Sequence, residues 1–280
     1  MAPGHHADSV VIMFRAMNSN AVPTHRSEPR VGACVAAGFI CFLLAHHFAV
    51  FVHEYAHSFM AFALGCKSNP FQIHFGGTGL LNVLLLSGVD EQVDYPTMFA
   101  HDAGWRVALV ALAGPGLGNG LTYFGSLAMM NCKTAVKGDG VVLFAFALNV
   151  MSVGNFFSYV PIRTFVSHGD IGHVTQGLGV SPWLPLAVLG IPTLAAMWWL
   201  FRRTMPQAMR RLACGALNRQ RALVALTVAI VFGFFGLAGW AGYGTISHVL
   251  SGACMVIAPV VMVLCWPRKS VRHGVEVQSV

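Results

Sequence analysis

His53, Glu54 and His57 are the residues of this chain best equipped for chemistry. They stand in the order His-Glu-x-x-His, as His53-Glu54-Tyr55-Ala56-His57. On a helix, positions i and i+4 share a face, so two imidazoles can meet one cation. Glu54 sits beside them, placed to accept a proton from a metal-activated water without being a ligand itself. A catalytic zinc usually takes three protein ligands and keeps a fourth position for water. His53 and His57 supply two. Asp170 is the leading candidate for the third, with His168 and His173 as runners-up. All three lie in Ser167-His168-Gly169-Asp170-Ile171-Gly172-His173, the second dense cluster of donors in the chain. His46, seven residues before His53, shares its helix face. His46, His168 and His173 are therefore also expected as supporting positions behind the ligands.

The segment that positions the motif is apolar from Val31 to Gly65. At 1.5 Å per residue such a helix is roughly 50 Å long, more than a hydrocarbon core of about 30 Å, so it must tilt, protrude or break. An acid and two histidines inside a membrane-length helix are costly to insert and mark a functional site by default. The whole chain fits that setting. Of its 280 residues 56% are hydrophobic and only 10% charged, with a mean hydropathy of +0.65. A soluble domain carries roughly a quarter charged residues. The net charge of +7 does not argue for nucleic acid, because the basic residues fall between apolar runs. The seven cysteines form no C-x-x-C pair and are read as small packing residues, without a disulfide framework.

The expected architecture is an all-α polytopic membrane protein with about six spans. A small membrane-associated β element is expected between spans one and two. Residues 1–30 read as a flexible cytoplasmic tail without a cleavable signal. After span one, Phe71-Gln72-Ile73-His74-Phe75 alternates like a strand and Gly76-Gly77 suggests a turn. The Leu80–Leu86 run is too short to span. Asp90, Glu91, Asp94 and Asp102 make the rest of this connection acidic. Span two, about Trp105–Met130, holds the small residues of Ala113-Gly114-Pro115-Gly116-Leu117-Gly118, which permit close helix approach and a proline kink. Asn119 follows, a polar group in need of a partner. Span three, about Val141–Ile162, carries Asn149, Asn155 and Ser158. Spans four to six are expected at about Trp183–Phe201, Ala222–Gly242 and Thr245–Trp266. Residues 31–175 form the three-span core. Residues 176–280 add three spans and a short basic tail.

Fourteen of the 17 Lys and Arg fall in the tail, the connections after spans two and four, and the C-terminus. Lys67, Arg106 and Arg163 make up the other side. Six spans with both termini cytoplasmic satisfy the positive-inside rule. That topology brings the outer end of span one near Asp170. Arg163, beside Pro161, reads as an interfacial snorkelling arginine, with contact to a substrate carboxylate as the alternative.

Residues 31–175 resemble the site-2 protease family of intramembrane zinc metalloproteases. The matching features are His53-Glu54-x-x-His57, then Ala113-Gly114-Pro115 with Asn119, then a span ending at Pro161 and followed by Asp170. The resemblance implies zinc held by His53, His57 and Asp170, Glu54 as general base, and Asn155, Ser158 or Asn119 at the substrate or its oxyanion. It also implies that residues 71–88 form a β element that docks an extended substrate by strand addition. This chain departs from the family pattern in four places: Ser158 stands three before Pro161 where asparagine is usual, the gap from Pro161 to Asp170 is longer, the order is Gly169-Asp170 instead of Asp-Gly, and Asn119 comes one position late after Ala113-Gly114-Pro115.

The function expected is hydrolysis of peptide bonds in membrane-embedded or membrane-associated polypeptides. The partners are that substrate and the lipid bilayer, with no nucleic acid, and the setting is a bacterial inner membrane. The main alternative is a catalytically inactive scaffold of the same fold that binds partner helices. A metal transporter would need ligands continuing through spans four to six. A di-iron desaturase would need a second histidine box.

Overall fold

Chain hydropathy dominates this architecture. In the computed structural model, residues 31–101, 103–132, 138–213 and 216–268 are described. The expected tail, 1–30, and most of the basic C-terminal segment lie outside them, as does Asp102. Six helices are long and apolar enough to cross a membrane, so the protein is an all-α, multi-pass membrane protein. In chain order the helices are α1 (Val31–Ala63), α2 (Leu80–Leu85), α3 (Tyr95–Ala100) and α4 (Gly104–Asn131). They continue with α5 (Asp139–Ile162), α6 (Asp170–Leu178), α7 (Trp183–Leu212), α8 (Leu217–Trp240) and α9 (Thr245–Cys265).

The central helix is α5, buried on nearly all sides. Phe146, Val150, Val153 and Phe157 pack there with Leu200 of α7 and Val228, Phe232 and Phe235 of α8. Outward-facing Ile191, Val256 and Leu264 stay exposed on α7 and α9. An apolar exterior is what lipid requires, since lipid tails solvate such side chains and water does not.

Prolines shape three helices. Pro115 lies in a π-helical turn at Ala113–Gly118, and Pro161 in another at Ser158–Ile162. A third turn, Leu200–Thr204, precedes Pro206. Proline lacks an N–H and clashes with the carbonyl four residues back, so the ladder widens locally while the helix continues. This is why α7 runs past the expected end at Phe201. Arg202, Arg203, Arg210 and Arg211 therefore lie on a helix end, and Arg202 stacks 5.1 Å over Trp198. α1 runs unbroken through the motif.

The β element expected over residues 71–88 is not formed. The described residues hold a single antiparallel bridge, His74 with Asp90, and the short helix α2 in place of strands. The ladder cannot propagate because a side chain takes its bonds. Asn82 Nδ2 donates to Phe75 O and Gly77 O at 2.8 and 2.7 Å, and its Oδ1 accepts from Gly88 N at 2.8 Å. Leu86, at φ 51, then reverses the chain. The loop lies against α1, where His46 Nε2 donates to Leu85 O at 2.9 Å and His47 Nε2 to Val83 O at 2.8 Å. Backbone beside a membrane helix must have its polar groups satisfied, and these histidines satisfy two carbonyls.

Candidate metal centre

His53 and His57 project from one face of α1, with ring centroids 4.8 Å apart. The π-helical turn of α4 lies directly against them. A Cβ at Gly118 would stand 2.8 Å from His53 Cα, and one at Gly114 only 2.6 Å from His53 Nε2 and closer still to His57 Nε2. Only glycine at these two positions allows the approach. The third side comes from α6. Gly169, at φ 79, turns the chain so that Asp170 opens that helix. The backbones of α4 and α6 meet at Gly104 and Gly177, where a Cβ on either would strike the other's carbonyl oxygen. That contact carries Asp170 to the histidines.

Three donor atoms converge. His53 Nε2 lies 3.0 Å from Asp170 Oδ2, His57 Nε2 lies 3.4 Å from the same oxygen, and the two Nε2 atoms are 3.1 Å apart. Bonds of about 2.0–2.1 Å to a tetrahedral zinc place its donors roughly 3.3–3.4 Å from one another. Tautomers favour the same reading. His57 Nδ1 donates to Val110 O at 2.7 Å, and His53 Nδ1 to Asn119 Oδ1 at 3.3 Å. With the proton on Nδ1, each Nε2 carries a bare lone pair. Two such lone pairs and a carboxylate oxygen meet at one point, an arrangement that a cation satisfies and a void does not. The donor set of two imidazoles and a carboxylate is one that zinc accepts. Burial alone would raise the Asp170 carboxyl. When the imidazoles of His57 and His53 are protonated and no metal lies between them, they more than offset this and hold it below the usual carboxylate range.

Glu54 follows His53 and is buried. Its carboxyl lies near Glu91, a residue read from sequence only as part of an acidic loop. Glu91 is buried too, at 8% exposure. The Lys67 ammonium ties its backbone down by donating to Gln72 O and Glu91 O. Beyond it Tyr95 is buried, and burial beside Glu91 pushes that phenol well above its ordinary range.

The remaining expected residues go elsewhere. Among the described residues, the groups able to share a metal are His53, His57 and Asp170. His173 packs 4.3 Å from the Tyr95 ring and His168 lies 5.8 Å from that of Tyr243. His46 stands two helical turns before His53, about 10 Å along the axis, and bonds to Leu85. Asn119 Oδ1 accepts from His53 and also, at 3.4 Å, from Asn155 Nδ2. This pair begins a polar seam between α4 and α5. Ser152 Oγ donates to Thr122 Oγ1 at 2.8 Å, and Asn149 Nδ2 to Ser126 Oγ at 2.9 Å. Ser158 is buried at the start of the π-helical turn of α5. Tyr159, which motif reading did not single out, stacks on His53 with centroids 4.7 Å apart. No family model, no curated protein and no solved structure matches this chain.

Proposed function

We propose that this chain is an intramembrane zinc metalloprotease resembling the site-2 protease family. It would hydrolyse peptide bonds of membrane-embedded or membrane-associated polypeptides. The observation that carries the reading is the convergence of His53 Nε2, His57 Nε2 and Asp170 Oδ2 within 3.0–3.4 Å, beside Glu54 and on a membrane-length helix. These three residues would hold the ion. Zinc there supplies a Lewis acid that lowers the pKa of water towards neutrality and polarises a peptide carbonyl.

The chain's own residues supply the rest. The Glu54 carboxylate takes the proton of the attacking water and returns it to the leaving nitrogen, the general-base and general-acid roles in turn. Glu91 backs Glu54 and limits where its carboxyl can swing. Asn119 holds His53 in the tautomer that presents Nε2. An apolar cavity of about 540 Å³ flanks the motif, lined by Val52, Ala56, Phe59, Met60, Leu117 and Leu121. It supports an apolar polypeptide as substrate. The distribution of Lys and Arg supports cytoplasmic termini.

The test is elemental analysis of the detergent-purified protein together with cleavage of a single-span test substrate. About one zinc per chain is expected, lost in both His57→Ala and Asp170→Ala. Glu54→Gln should keep the metal and lose about 10²–10⁴-fold in cleavage rate. A folded parent without zinc would favour the inactive scaffold, and cleavage that survives Glu54→Gln would remove Glu54 as the base.

A further inference from the structure

We propose that a pocket beside the metal centre is a carboxylate-binding subsite built around Arg163, and that its ligand is the free C-terminus of a peptide. The chemical class of ligand follows from the pocket. The identification of that ligand as a peptide rests on the peptidase reading above.

The pocket has a volume of about 50 Å³ and is bounded by Tyr159, Arg163, His168, Gly169, Asp170 and Tyr243. Arg163 follows the π-helical turn that ends α5. An arginine at the end of a span would ordinarily snorkel towards headgroups. Here its guanidinium lies 5.1 Å from the Tyr159 ring and 5.0 Å from the Tyr243 ring. Two aromatic rings therefore engage the cation. It forms no ion pair among the described residues, and its buried Nε has no hydrogen-bond partner. A guanidinium does not lose its charge in a protein, so this one remains a cation with its N–H edge unspent. The planar fork of an arginine matches a carboxylate by two parallel bonds, and a half-buried cation gains most from such a partner.

Size agrees with a small polar ligand group. On the same measure one water needs about 10–15 Å³, so the pocket has room for a carboxylate and the water around it. A chain end fits. Asp170 forms one wall of the pocket while its Oδ2 faces His53 and His57. Tyr159 borders Arg163 on one side and stacks on His53 on the other. A carboxylate on Arg163 thus places the last peptide bonds of its chain next to the three donors. Tyr243 comes from the connection between α8 and α9. The C-terminal helices then have a specific task, to close this pocket.

Calorimetry on the full-length, zinc-loaded Glu54→Gln protein tests the proposal, with N-acetyl-alanyl-leucine and its C-terminal amide as probes. The acid should bind at least tenfold more tightly than the amide. Adding Arg163→Gln should abolish that preference, while Arg163→Lys should keep part of it. Tyr243→Leu, which removes one ring and leaves the charge, should weaken it severalfold and covers the case in which Arg163→Gln does not fold. Equal affinity for acid and amide overturns the proposal. So does a preference that persists in Arg163→Gln, which would put the carboxylate on the metal. Acid preference that survives His57→Ala supports the pocket even where no cleavage is found. Cleavage by the parent without acid preference rejects the pocket and leaves the peptidase reading standing.

Discussion

Replacing Gly114 by alanine should separate the metal site from the fold. A Cβ there would stand 2.6 Å from His53 Nε2 and nearer to His57 Nε2, and its three nearest neighbours are atoms at the tips of these two imidazoles. Such tips can swing away at little cost to the helices, so the protein should still fold. The site should not survive. His53 Nε2 must retreat by about 0.4 Å to reach even a 3.0 Å separation, and His57 further, whereas metal–ligand distances tolerate about ±0.2 Å. Loss of ligand orientation alone costs 10–100-fold in metal affinity, and here two ligands move, so a loss of at least about 100-fold is expected. Gly116 is the control. Its Cβ would meet Leu112 Cγ at 3.6 Å, an ordinary contact, so Gly116→Ala should bind zinc as the parent does. Zinc affinity is measured by competition with a chelator, and folding by the unfolding midpoint of each zinc-free protein. Parent-like zinc binding by a folded Gly114→Ala would refute the placement of the ion between these nitrogens. An equal loss in Gly116→Ala would show that α4 responds to any added methyl.

Asn119→Ala should lower zinc affinity by about 10–100-fold, because it removes the acceptor for His53 Nδ1. Asn149→Ala, at the far end of the same polar seam, should leave affinity unchanged while costing about 1 kcal/mol of stability from its bond to Ser126. Protonation of Asp170 should not drive the release of zinc in mild acid. That carboxyl is held below its ordinary range, so it stays ionised above the usual carboxylate value and takes up a proton only at still lower pH. An extra proton per ion appearing in the zinc dissociation constant across the usual carboxylate range would show Asp170 titrating there and refute this.

Hydropathy alone was enough for the six spans, because lipid leaves a backbone few ways to cross it and a helix needs only its own residues to satisfy its bonds. The common face of His53 and His57 was equally legible, since a four-residue spacing sets it whatever packs against the helix. Local alternation misled over residues 71–88. A strand needs a partner for every second bond, and here Asn82, His46 and His47 took those bonds. Glu91 could not be told from its acidic neighbours, because its burial against Glu54 depends on a loop folding back to α1 across some 37 residues of chain. The same holds for the Arg163 clamp, which needs Tyr243 from the far end of the protein. The sequence by itself determined which segments lie in the membrane and which donors share a helix face. Only the tertiary structure decided which groups from separate helices meet, because those meetings are set by where glycines allow close approach: Gly118 to the α1 backbone, Gly114 to the imidazoles of His53 and His57, and Gly104 to Gly177.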